Sequence, residues 1–188
     1  MGSPELSSLV ALAKRGNREA FDQLVRATYR DTYALALRLT GHEEDARDVV
    51  QDAYLRAYRA LPRFREDASF STWLYRITAN RASTYVGRNR RHRHDELPDD
   101  AAIADPRGDG DPASQADASS LRHRLEAAIA ELPPRLRQVI VLRDVYDFSH
   151  EQIAAELGIT ESAAKVRLHR ARRILRDQVL TGGQRHAV

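Results

Sequence analysis

TESAAKVRLHRARRILR, residues 160–176, carries Lys165, Arg167, Arg170, Arg172, Arg173 and Arg176, with His169 among them and no acid after Glu161. Wound as an α-helix at about 100° per residue, the run sorts itself into two faces. Ala164, Leu168, Ala171 and Leu175 fall on one narrow apolar stripe, while Glu161, Ser162, Lys165, His169, Arg172 and Arg176 fan over the opposite half. Such a helix packs against a small domain and turns a cationic, hydrogen-bonding face outward. Taken alone it fits a solvated charged helix and an anion-binding one equally well.

The residues before it separate those readings. Ser149 with Gln152 three positions on has capping-box spacing, so a helix over 149–157 is expected, with Ile153, Ala154 and Leu157 inward. Gly158-Ile159 is a short turn with the glycine that a helix-turn-helix requires. In that motif the second helix enters the major groove of a duplex and the first crosses the backbone. Lys165 and Arg172 then face guanine O6 and N7 or phosphate, His169 donates or accepts, and Glu161 accepts from cytosine N4. Arg167 and Arg170 lie off that face and suit phosphates.

Upstream, the apolar periodicity predicts helices over 5–15, 18–39 with Gly41 as C-cap, 43–61 closed by Pro62, and 72–89 with Ser71 as N-cap. The acids Glu43, Glu44, Asp45 and Asp48 open the third of these, where the helix dipole favours them. Between the last two lies a polar loop, PRFREDASF, in which Phe64 is expected to be exposed. Arg81 to Arg93 form a second basic patch near Phe64, Phe70, Trp73 and Tyr85, a composition suited to stacking and pairing a single strand. Trp73 fits a core position equally well, beside Leu74 and Ile77.

From Asp95 to Ser119 the chain turns to Asp, Ala, Pro, Gly and Ser, which cannot bury enough apolar surface to offset ordering entropy. A flexible acidic linker is expected there, dividing a domain at 5–94 from one at 120–180. Helices over 120–131 and 135–145 complete the second, and the tail from Thr181 is expected to fray. No strand pattern occurs, so the expected fold is all-α, two small helical domains joined by a linker.

Three stretches carry a family resemblance: DARDVVQDAYLRAYRAL (45–61), FREDASFSTWLYRITANRA (64–82) and LPPRLRQVIVLRDVYDFSHEQIAAELGITESAAKVRLHRARRIL (132–175). In order and spacing the chain resembles a bacterial sigma-70 family RNA polymerase sigma factor of the extracytoplasmic function (ECF, group 4) subfamily. The resemblance implies a sigma-2 helical bundle, a sigma-4 helix-turn-helix domain, and promoter-specific transcription initiation on core RNA polymerase through its β′ clamp helices and β flap. Asp45, Asp48, Gln51, Asp52, Leu55 and Arg56 match the polymerase-binding motif. Phe64, Arg65, Phe70, Trp73, Asn80, Arg81, Tyr85, Arg88 and Arg91 lie in the element that melts and reads the −10 region, with Phe64 and Asn80 at positions that hold a flipped base. Lys165, His169 and Arg170 match positions that contact the −35 element; in the family an aromatic residue often stands where His169 does. An anti-sigma factor is an implied further partner, and a cytoplasmic location, nucleoid-associated in the holoenzyme or held near the membrane by that partner, is implied with it. The competing reading is a stand-alone helix-turn-helix regulator that binds duplex DNA by itself.

Composition narrows the chemistry. The formal charge is only +3, yet the sequence pI is about 9.4, and basic and acidic residues sit in separate blocks. With no cysteine, disulfides and thiol catalysis are excluded. His92 and His94 flank Arg93 without a carboxylate at ligand spacing, so no metal is expected, and no phosphate loop or nucleophile motif calls for a cofactor or an enzyme. No signal peptide or membrane-spanning run is read.

Overall fold

The computed structural model describes residues 4–92 and 117–184, with side chains over 5–86 and 123–178. Among these residues the chain is helical throughout, with no strand. In order come α1 (Pro4–Lys14), α2 (Arg18–Thr40), α3 (Glu43–Ala60), a 3-10 turn (Leu61–Arg63) and α4 (Phe70–His92), then α5 (Asp117–Glu131), α6 (Pro134–Ile140), α7 (His150–Leu157) and α8 (Glu161–Gln184). The helix α5 begins three residues inside the expected linker; the rest of that acidic stretch, with His94, lies outside the described residues.

Helices α2, α3 and α4 pack around one another with α1 laid against α2. Leu24, Leu35, Leu39, Leu61 and Leu74 are fully buried between them. Hydroxyls share this core without penalty because each is satisfied. Thr28 and Thr32 donate to the carbonyls of Leu24 and Thr28 at 2.7 and 2.8 Å, and Tyr54 Oη lies 2.8 Å from Thr28 Oγ1 and 3.3 Å from Thr32 Oγ1. Burial raises the Tyr54 phenol above its ordinary value, so it stays a neutral link between α2 and α3.

Gly41 ends α2 in the left-handed region (φ 82°), its N–H on the Leu37 carbonyl at 2.8 Å, as its position implied. The start of α4 departs from expectation. The cap is Ser69, whose Oγ accepts the Thr72 N–H at 3.1 Å, and Phe70 already lies in the helix. Burial of Phe70 against Phe64 and Trp73 draws the first turn two residues upstream of the expected Ser71 cap.

In the second half, α6 and α7 pack on α8. Ala164, Leu168, Ala171 and Leu175 are the buried stripe, as the periodicity predicts. The helix expected over 135–145 stays α-helical only to Ile140; Val141–Val145 is wound as a π turn, closed by the Tyr146 N–H on the Val141 carbonyl at 3.3 Å. The wider turn keeps Val141 and Leu142 buried and lets Phe148 turn back into the core, its N–H on the Leu142 carbonyl at 2.9 Å. Ser149 and Gln152 form both bonds of the capping box, and Gly158 closes α7 with φ 63°. The helix α8 runs on to Gln184, past the expected fraying point at Thr181.

The two halves meet. Helix α6 lies on α2 and α7 on α4, and the buried apolar residues of both halves form one continuous cluster.

Candidate nucleic-acid interface

The outward face of α8 is exposed at Glu161, Ser162, Lys165, His169, Arg170 and Arg172, with Arg167 half-buried at its edge. Thr160 caps the helix, its Oγ1 accepting the Ala163 N–H at 3.1 Å. Lys165 pairs with Glu161 at 2.8 Å and holds that carboxyl below its ordinary range. Arg143 from the π turn and His150 from α7 join Lys165, His169, Arg172, Arg173 and Arg176 around an open groove of about 460 Å³. Two of these side chains, Arg143 and His150, escaped the sequence reading because they come from other elements.

Arg172 differs from its expected role as an outward donor. Its Nε and Nη2 reach the two carboxylate oxygens of Asp144 at 3.0 and 2.5 Å, and this pairing raises its pKa further. The π turn swings Asp144 toward α8, so a carboxylate stands against one of the groove's arginines.

On α3, Asp48, Gln51, Leu55 and Arg56 are exposed, with Asp45 and Asp52 half-buried, on adjacent turns of one side. Leu55 is 49% exposed, a large apolar side chain at the surface. Asp52 has intramolecular partners: Arg56 at 3.3 Å, and Arg81 of α4 in close contact. Arg81 thereby joins α3 to α4.

The aromatic cluster before α4 overturns one expectation. Phe64 is buried at 7% exposure, its ring stacked on Trp73 with centroids 4.7 Å apart and set edge-on to Phe70 at 6.4 Å. A loop of polar residues still hides its one large ring, because burial of a phenylalanine outweighs the loop's composition. Lys14 of α1, unmarked in the sequence reading, fastens that loop by donating to the Phe64 carbonyl at 2.9 Å and the Glu66 carboxylate at 2.6 Å. Glu66 itself sits at φ 63°, a backbone conformation uncommon for a side-chain-bearing residue. Trp73 and Tyr85 are half-buried, Arg65 is exposed, and Asn80 lies exposed on the outer side of α4. Arg88 and Arg91 ride its last turns, with side chains outside the described residues.

Asn80 also has a neighbour from the other half. Helix α7 packs on α4 there, and burial raises the Glu156 carboxyl above its ordinary range, with Arg76 and Asn80 partly opposing. Among the described residues no group of three or more His, Asp or Glu gathers to hold a metal ion, and no helix is long and apolar enough to cross a membrane.

Residues 24–92 match the family described as Sigma-70 region 2, and residues 122–175 match Sigma-70, region 4. The ECF RNA polymerase sigma-E factor of Escherichia coli is 34% identical over 179 residues, covering 91% of this chain and 92% of that protein. The chain belongs to the ECF sigma factors. The ECF RNA polymerase sigma factor SigE of Mycolicibacterium smegmatis is 37% identical over 158 residues, which is 84% of this chain and 61% of SigE. Among solved structures, CnrH in complex with the cytosolic domain of CnrY is 31% identical, covers 92% of this sigma factor and 96% of that chain, and superposes with a TM-score of 0.55. The sigma factor RpoE of Bartonella quintana, solved with the anti-sigma factor NepR, shares the fold at TM-score 0.57 and 24% identity, over 85% of this chain and 96% of that one.

Proposed function

We propose that this sigma factor binds core RNA polymerase through the exposed side of α3, docks the α8 groove on the −35 duplex, and melts and reads the −10 region with the Phe64 loop and α4. The observation that carries the reading is the α3 surface. Exposed Leu55 stands there among Asp48, Gln51 and Arg56, of which Arg56 pairs with Asp52 one turn before it. A regulator acting alone on duplex DNA needs no such surface; a subunit of a larger machine does. The chain itself performs no bond chemistry, which belongs to the polymerase, and it acts in the cytoplasm.

Within that scheme α8 offers Lys165, His169 and Arg170 to base edges and phosphates, with Glu161 and Ser162 at its leading turn and Arg167 at its flank. Phe64, with Trp73 and Phe70, forms a rigid apolar platform under the loop, and Asn80 supplies hydrogen bonds to an unstacked base. Tyr85 and Arg65 lie beside that platform, and Arg88 and Arg91, on the last turns of α4, are proposed to join them in reading the strand. Arg81 and Asp52 act by holding α4 against α3. An anti-sigma protein is a further proposed partner; the related CnrH was solved in complex with another protein, the cytosolic domain of CnrY.

Reconstitution tests the whole. The full chain with core polymerase should support run-off transcription from its promoter, and Leu55→Ala with Arg56→Glu should weaken capture of the polymerase. Tight dimeric binding to a palindrome, with no polymerase-dependent transcript, would refute the proposal.

A further inference from the structure

Val166 is the most exposed large apolar side chain among the described residues, at 52%. It stands on α8 two positions from Ala164 and two from Leu168, both of them buried. At about 100° per residue that sets it about 160° from each, so it rides the crest of the outward face. Lys165, paired with Glu161 at 2.8 Å, lies beside it. Ser162 is one turn before it, and His169, Arg170 and Arg173 are on the turns after, all exposed. Neither the helix nor the core accounts for a valine here. A β-branched side chain loses rotamer freedom in a helix, and one at the crest buries no surface in return.

Its surroundings constrain what covers it. The partner surface has to be apolar at one point, to meet the valine, and anionic on both sides, to meet the cations. The floor of a duplex major groove, between its two rows of phosphates, has that pattern. The groove is about 12 Å wide and a helix with its side chains about 10–12 Å across, so the crest of an inserted helix is the part that reaches the base edges. Among the groups displayed there, the thymine C5-methyl is the apolar one. A valine neither donates nor accepts a hydrogen bond, so that methyl is the feature it can read.

We propose that Val166 selects thymine at one position of the bound duplex by packing its side-chain methyls on the thymine C5-methyl, a specificity-determining contact set among the hydrogen-bonding residues of α8. The inference rests on the reading that α8 docks on the −35 duplex, and it adds an apolar contact to a face otherwise read as polar.

Thymine and deoxyuridine share one pairing edge and differ by that methyl, which makes the contact separable from the rest of the interface. Promoter fragments are selected from a random-sequence library by the full chain with core polymerase. Each thymine of the −35 element is then replaced in turn by deoxyuridine, and the fragments compete for the holoenzyme. At one thymine the replacement should cost the parent about fourfold in affinity, the effect of burying about one methyl. Val166→Ala, which favours the helix and keeps its buried stripe, should bind the thymine fragment about fourfold less tightly and lose nothing more on deoxyuridine at that position. Such non-additivity marks a direct contact. At the other thymines parent and variant should respond alike. A parent indifferent to every deoxyuridine, or losses that multiply at every thymine, would overturn the contact, while failure of Lys165→Glu to retain the selected fragments would still uphold α8 docking. A Lys165→Glu chain that retains them as the parent does would overturn the docking itself, and the Val166 contact with it.

Discussion

Asp144→Ala is the sharpest probe of the α8 groove. The carboxylate holds Arg172 through two hydrogen bonds, at 3.0 and 2.5 Å, on a half-exposed surface. Pairs in such a setting contribute about 0–1 kcal/mol, so the variant should fold with its melting temperature nearly intact. What changes is the charge the groove offers to phosphate. Releasing Arg172 adds one cation able to neutralise a phosphate, and each such contact steepens the plot of log affinity against log salt by about 0.9. Between about 50 mM and about 200 mM salt, one added contact changes the ratio of variant to parent affinity by about 3.5-fold. The variant should therefore bind tighter at low salt and lose that advantage as salt rises. Arg172→Ala in the parent should alter the slope little, because Arg172 is already engaged, whereas in the Asp144→Ala background it should abolish the gain. Fluorescence anisotropy of the full chain on a labelled duplex across that salt range measures all four slopes. Parallel lines for parent and Asp144→Ala would refute the view that Asp144 withholds Arg172 from the nucleic acid.

Other perturbations follow from the same contacts. Phe64→Ala removes a buried ring stacked on the chain's single tryptophan, so it should cost about 3 kcal/mol and red-shift Trp73 emission; an unmoved spectrum would mean the ring is not packed there. Lys14→Met frees the loop at the Phe64 carbonyl and Glu66, and proteolysis between Pro62 and Ser69 should speed up severalfold while α2–α4 stay protected; equal cleavage rates would dismiss Lys14 as the fastener. For Glu156, burial raises the folded-state carboxyl above 4.5, so the folded chain holds the proton better than the unfolded one. The stability this group contributes is present below the unfolded value and lost as pH rises through the folded value. Glu156→Gln should shrink the drop in melting temperature between about pH 4.5 and about pH 7, and an equal drop in both proteins would refute the assignment.

Much of the fold was legible because it is written in local periodicity. The stripe Ala164, Leu168, Ala171 and Leu175, the capping box at Ser149 and Gln152, and the C-cap at Gly41 each depend on neighbours within a few residues. What escaped depends on distant partners. Phe64 sits in a polar loop by sequence, and only Trp73 nine positions later, with Phe70, explains its burial. Nothing local marks the π turn at Val141–Val145, which is set by the need to bury both Leu142 and Phe148 and which sends Asp144 to Arg172. Arg137 reads as one more surface cation in LPPRLRQ until Thr40 and Gly41, almost a hundred residues earlier, are brought beside it. Asp52 and Arg81 were read as belonging to two separate surfaces; their contact makes them one joint between α3 and α4.

The acceptors of Arg137 are the carbonyls of Thr40 and Ala130, and every residue has a carbonyl. Side-chain substitution at either position leaves the acceptor in place, so the sequences of both helix ends are free to drift. What the contact constrains is the missing Cβ at Gly41, which gives the guanidinium its room. Chimeras that exchange the first half of this chain for that of a relative should therefore keep the halves joined wherever the incoming helix ends in glycine, however different its other residues are.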